Sequence, residues 1–114
     1  MLINEYQKEC LRTMPKFMPR GEETLMGLMG LNSEAGECIN LYKKTLFNGD
    51  PLDNKQLVSD LGDALWYIAV TAHALDYDLE TIMQANIDKL KTKYPNGFSL
   101  EESLNRYAGD IYKE

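Results

Sequence analysis

Four carboxylates stand out by their spacing. Glu34 and Glu37 are three residues apart, and Asp60 and Asp63 repeat the interval further along the chain. On an α-helix that interval puts both side chains of a pair on one face, about 60° apart around the axis. Between the pairs, Asn48-Gly49-Asp50-Pro51 reads as a turn, which makes the flanking helices antiparallel neighbours. Counted outward from that turn at about 1.5 Å per residue, the two pairs come level to within a turn or so. Four acids then converge between two helices.

Both pairs sit in apolar surroundings: Met29-Gly30-Leu31 and Cys38-Ile39 around one, Leu61 and Ala64–Ala69 around the other. Two carboxylates 4 Å apart repel by about 4 kcal/mol at an effective dielectric of 20. A cation offsets that cost. Oxygen ligands with no neighbouring His or Cys select a hard ion, Mg²⁺ or Mn²⁺, over zinc. Gly36 and Gly62 each precede the second acid of a pair and each costs a helix about 1 kcal/mol. They are expected where backbones or a ligand approach closely. For either pair alone, a solvated helix face is the commoner reading; two level pairs, each in an apolar segment, favour a site. Asn86, Lys89 and Lys93 share one face of a later helix. A carboxylate-bound Mg²⁺ completes its shell with water and phosphate oxygens, and lysines hold further phosphate charge. Lysines late in a helix also serve simply as partners of its negative end.

The elements that carry these residues are helical throughout. Ile3, Tyr6, Cys10 and Leu11 predict a first amphipathic helix over about 3–14. Pro15, Pro19 and Gly21 break it, and from Glu22 a second runs through Leu25, Leu28, Met29, Asn32, Ala35, Cys38, Ile39 and Tyr42. Asp53 caps a third, whose main stripe is Leu57, Leu61, Leu65, Ile68, Ala72 and Leu75. Its middle is apolar nearly all round, so burial on every side is expected, with the outer face against another subunit. A fourth starts after Asp78 with Ile82, Met83, Ile87 and Leu90, and Tyr94-Pro95-Asn96-Gly97 ends it. Ser99 and Glu102 form a capping box for a short last helix over about 100–112. The expectation is an all-α, antiparallel bundle of four to five helices in one domain spanning 1–114, completed by oligomerisation.

Composition limits the partners. The 114 residues carry 18 Asp+Glu against 12 Lys+Arg, a net charge of -6, and hold no dense basic run, which argues against nucleic acid held by phosphate neutralisation. The start of the chain has acids where a signal peptide has basic residues. The longest apolar-leaning run, Ala64 to Leu75, is too short for a bilayer. Cys10 and Cys38 have no CxxC spacing and read as reduced, largely buried thiols. No membrane contact and a cytoplasmic location are expected. His73, the sole histidine, lacks the preceding carboxylate of a di-iron ExxH motif and reads as a core or interface residue. Met14, Met18, Met26, Met29 and Met83 read as packing. For Trp66, Tyr67 and Phe47, packing is the commoner role and stacking on a base the alternative.

Three blocks in order, Gly30–Glu37, Asp60–Tyr67, and Asn86–Leu90 with Lys93–Ser99, resemble the MazG-type all-α nucleoside triphosphate pyrophosphohydrolases, from about residue 25 to Arg106. The resemblance implies a helical bundle assembled as a homodimer or homotetramer. It implies Mg²⁺ bound through EExxE and ExxD elements, and hydrolysis of a nucleoside triphosphate between the α- and β-phosphates to monophosphate and pyrophosphate. On matching positions, Glu34, Glu37, Asp60 and Asp63 become metal ligands, with Asn86, Lys89, Lys93 and Tyr94 facing the substrate. Two positions depart: Ser33 replaces the first Glu of EExxE, and Asp60 replaces the Glu of ExxD, one methylene shorter.

A metal would neutralise triphosphate oxygens and lower the pKa of the attacking water. A free carboxylate oxygen among Glu34, Glu37 and Asp60 is expected to take the proton, with Glu37 the first choice. Lys43 and Lys44 read first as partners of the negative end of their helix; Lys44, two turns beyond Glu37 on the same face, is the candidate to reach the leaving pyrophosphate. The expected role is nucleotide-pool house-cleaning. Alternatives are a dUTP/dCTP-preferring or phosphoribosyl-ATP pyrophosphohydrolase, or a non-catalytic helical interaction domain whose acids are a solvated face.

Overall fold

The computed structural model describes residues 1–101, 103 and 104, with Arg20 through its backbone only. Among them run four helices and no strand: α1 (Ile3–Leu11), α2 (Arg20–Asn48), α3 (Asn54–Ala74) and α4 (Leu79–Lys93). The fold is all-α, as the periodicity predicts. The chain divides into two compact units, Met1–Glu80 and Thr81–Glu114.

Local chemistry sets the ends. The Leu2 N–H donates to Glu5 Oε2 at 3.0 Å, opening α1. That helix stops at Leu11, earlier than expected, because the N–H groups of Arg12, Thr13 and Met14 turn back to Glu9, Cys10 and Leu11, three residues behind each. α2 starts before Glu22: Pro19, its φ pre-set, occupies the cap position, and Gly21 lies inside the first turn. It closes on Gly49 at φ 75, a left-handed conformation that glycine adopts without strain. Asp53 caps α3 as expected, its side chain accepting from the Gln56 N–H at 3.0 Å. Ser103 N–H donates to Ser99 C=O at 3.0 Å, consistent with a helical turn there; most of the helix expected over 100–112 lies outside the described residues.

In the first unit α3 is the hub. α1 packs on its C-terminal half, where Cys10, Met14, Ala69, Val70 and Leu79 make the buried core. Gln7, itself buried, pins this corner: Nε2 donates to the Ala69 and Tyr77 carbonyls at 3.2 and 3.0 Å, and Oε1 accepts from Leu79 N–H at 2.9 Å. Trp66 Nε1 donates to Thr13 Oγ1 at 2.8 Å and Cys10 C=O at 3.2 Å, so its role is structural.

α2 lies antiparallel along α3. Gly27 faces Thr71 and Gly30 faces the Tyr67 ring so closely that a Cβ at either glycine would collide. These are the close approaches between the helices. Gly36 and Gly62, expected where backbones or a ligand approach closely, make no such approach between helices: a Cβ added at either meets nothing within 4 Å. Nor is α3 buried on every side within the chain. On it Val58, Leu61 and Leu65 are 68, 52 and 51% exposed. On α2, the face away from α3 is also apolar and exposed, with Leu28, Ile39 and Leu46 at helical spacing.

Candidate metal centre

Helical arithmetic puts Gly27, Gly30, Glu34, Glu37 and Leu41 on one face of α2. The glycines lie at the tight crossing, and the acids follow one and two turns later, opposite Asp60 on α3. Glu34, Glu37 and Asp60 each place a carboxylate oxygen within 4.8 Å of the others. The convergence expected from spacing therefore holds for three of the four acids. Asp63 is exposed and stands outside this triplet, yet its charge still acts on Glu34.

The three environments differ. Asp60 is 3% exposed, Glu34 half-buried and Glu37 exposed. Glu34 Oε2 is shielded from solvent and has no hydrogen-bond partner among the described residues. Desolvation pushes the Glu34 carboxyl above the ordinary glutamate range, and the negative charges of Glu37, Asp63 and Asp60 push it the same way. Burial, then the charges of Asp60, Glu34 and Glu37, also raise the neighbouring Cys38 thiol. Both cysteines are free, Cys10 buried and Cys38 half-buried. The Tyr6 phenol is pushed up to about 12 by burial first, then by its bond and charge interaction with Cys10, and last by Asp63.

A shielded carboxylate oxygen lacking a donor, inside a field of like charge, fits a cation. The oxygen-only donor set fits a hard one. Asp60 accepts one bond, from Gln56 Nε2 at 2.9 Å.

Beside the acids is a cavity of about 280 Å³ lined by Glu37, Asn40, Leu41, Lys44, Gln56 and Asp60. Lys44, expected by its spacing from Glu37, lies on this wall. Asn40 and Gln56 went unremarked in the sequence, although Asn40 is three residues past Glu37 and Gln56 four before Asp60, the spacings that share a helix face. A larger cavity of about 470 Å³ has Met18, Met26, Met29 and Tyr67 in its wall, with Glu22 and Ser33 at polar points. Asn86 and Lys89 are exposed on α4, and Lys93 and Tyr94 are half-buried, the Tyr94 ring 5.7 Å from that of Phe98. These four belong to the second unit. No helix among the described residues is long and apolar enough to cross a membrane.

The chain matches the MazG nucleotide pyrophosphohydrolase domain over residues 21–98, which takes in nearly all of α2 and the whole of α3 and α4. Gene 37 protein of Mycobacterium phage L5 is 40% identical over 82 residues, covering 68% of this chain and 72% of that protein. No solved structure matches.

Proposed function

Because the chain belongs to the MazG nucleotide pyrophosphohydrolase family, we propose that it hydrolyses nucleoside triphosphates between the α- and β-phosphates, releasing a monophosphate and pyrophosphate, in a metal-dependent reaction. The observation that carries this reading is the Glu34–Glu37–Asp60 triplet with its donorless, shielded Glu34 oxygen, beside a cavity that holds Lys44. Glu34, Glu37 and Asp60 would hold Mg²⁺ or Mn²⁺, with Asp63 adding charge. The ion would neutralise phosphate oxygens and acidify the attacking water.

The chain's own groups divide the remaining work. The water oxygen bonds to the α-phosphorus, and the bond from that phosphorus to the bridging oxygen breaks. The bridging oxygen leaves with the β- and γ-phosphates. Glu37, the exposed member of the triplet, takes the water proton. Lys44 and Asn40 meet the departing pyrophosphate on the cavity wall. Asn86, Lys89, Lys93 and Tyr94 are assigned to substrate binding by their positions in the family's motif. The apolar cavity beside Tyr67 suits a base, whose face stacks on an aromatic ring.

We assign the whole chain to one working domain, acting as a homodimer or homotetramer through the exposed apolar faces of α2 and α3, with unwanted triphosphates of the nucleotide pool as substrates. The test is incubation with mixed NTPs and dNTPs, with and without Mg²⁺, scoring pyrophosphate against orthophosphate. Mg²⁺-dependent pyrophosphate release is expected. Orthophosphate alone, or activity indifferent to chelation, overturns the reading.

A further inference from the structure

We propose that Gln56 is a positioning residue, whose amide holds the Asp60 carboxylate in the orientation that a bound divalent cation requires. The inference rests on the metal-site reading above and adds a residue outside the acidic triplet.

Gln56 is the third residue of α3, and its own N–H is taken up by the Asp53 cap. A glutamine at this position commonly turns back to the N–H of the cap residue, forming the reciprocal half of a capping box. Here the side chain turns forward instead, and Nε2 donates to Asp60 Oδ1 at 2.9 Å. The helix end gives up a local bond, and the amide goes to a carboxylate that is 3% exposed. A buried carboxylate needs donors or a cation. Asp60 has neither an ion pair nor a second donor among the described residues, and the nearby acids Glu34 and Glu37 are of like charge.

The consequence is orientational. Asp60 has two side-chain torsions, and an aspartate on a helix facing two glutamates is driven by repulsion to swing away from them. One hydrogen bond to Oδ1 fixes both torsions while leaving the lone pairs of Oδ2 uncommitted. Gln56 also lines the cavity that contains Glu37 and Lys44, so its amide stands at the edge of the site and not behind it.

The fold supplies its own control. On α4, Gln84 Nε2 donates to Asp88 Oδ1 at 2.9 Å, the same pair at the same spacing, with both residues exposed. Removing that amide takes away an ordinary helix-surface bond. Outer partners of metal ligands, by contrast, change metal affinity by about 10- to 100-fold when removed.

The experiment uses the full chain and Mn²⁺ alone. Calorimetric titrations compare the unsubstituted protein with Gln56→Leu, the near-isosteric Gln56→Met, and Gln84→Leu, well below the melting temperature of each, recorded in parallel by circular dichroism. Both Gln56 variants are expected to bind Mn²⁺ about tenfold or more weakly, with Gln84→Leu within about twofold of the unsubstituted protein. Gln56 variants that bind within that twofold range overturn the inference and leave the metal site standing. Equal weakening in Gln84→Leu also overturns it. An unsubstituted protein that binds no Mn²⁺ removes both this inference and the metal-site reading.

Discussion

Four glycines give the sharpest test of how packing sets the site, because the structure assigns them opposite signs. Replacing a helix-interior glycine by alanine stabilises a helix by about 1 kcal/mol when the new methyl has room. Within a single chain it has room at Gly36 and Gly62, so in the monomer each substitution should raise stability by about 0.5–1 kcal/mol, roughly 2–4 °C in Tm for a chain of this size. At Gly30 the methyl lands on the Tyr67 ring. That ring stands edge-on to Trp66, centroids 5.0 Å apart, and Trp66 is tied to α1, so it has little freedom to yield. Overpacking of this kind costs about 1–3 kcal/mol; less the propensity gain, Gly30→Ala should lose up to about 2 kcal/mol. Gly27→Ala should lose stability too, since its methyl meets the side chain and backbone of Thr71, whose hydroxyl is already bonded to Tyr67 C=O at 2.6 Å. Urea unfolding followed by circular dichroism measures all four. Gly30 is one turn before Glu34, so helices forced apart there also spread the acids, and Mn²⁺ affinity should fall in Gly30→Ala. A Gly30→Ala protein as stable as the parent, or a Gly36→Ala protein that is destabilised, refutes the reasoning.

Other consequences are equally direct. The raised Glu34 carboxyl means that the folded chain holds this proton more tightly than the unfolded one. Its contribution is therefore favourable below the ordinary glutamate range and is lost as pH rises through the raised value. Metal-free protein should lose stability over that window, Glu34→Gln should flatten the loss, and urea titrations across pH in EDTA read both. Glu37→Gln should lower kcat about 100-fold or more with the fold intact, measured as pyrophosphate release; full activity removes Glu37 from the reaction. Lys44→Met should raise KM by about tenfold, the scale of one charge-assisted hydrogen bond, and an unchanged KM removes Lys44 from the substrate site.

The site was legible in sequence to the extent that it is local. Glu34 and Glu37, like Asp60 and Asp63, declare themselves by a three-residue interval, and the Asn48–Pro51 turn brings the helices side by side. What spacing cannot convey is the distance between two helix axes or the angle of each face. Those depend on which small residues touch, and here they are Gly27 and Gly30, not Gly36 and Gly62. The same ignorance separates Asp63, exposed and outside the triplet, from Asp60. Gln7 shows the limit again. As a polar residue on a short helix it reads as surface, yet it bonds to Leu79, 72 residues away. Leu61 and Leu65, on the stripe expected to be covered, are exposed in the chain because periodicity reports which face is apolar, not what covers it.

The two faces of α2 invert the usual order of a single-chain helix. In water the apolar stripe of a helix turns inward and the charges outward. Here the inward face carries Glu34 and Glu37 against a buried Asp60, while Leu28, Ile39 and Leu46 lie on the opposite, exposed face. Each face carries a cost that the isolated chain does not offset: like charges crowded with a shielded oxygen on one side, hydrated apolar side chains on the other. In the function proposed above, a cation would offset the first and a second copy of the chain the second. The two would be coupled through one helix, because a subunit packed on the outer face of α2 would stiffen the turn that presents Glu34 and Glu37. Metal binding and assembly should then reinforce each other by linkage, with Mn²⁺ shifting the chain towards its larger assembly in sedimentation experiments. An oligomeric state that ignores Mn²⁺ would mean that the two faces answer to separate demands.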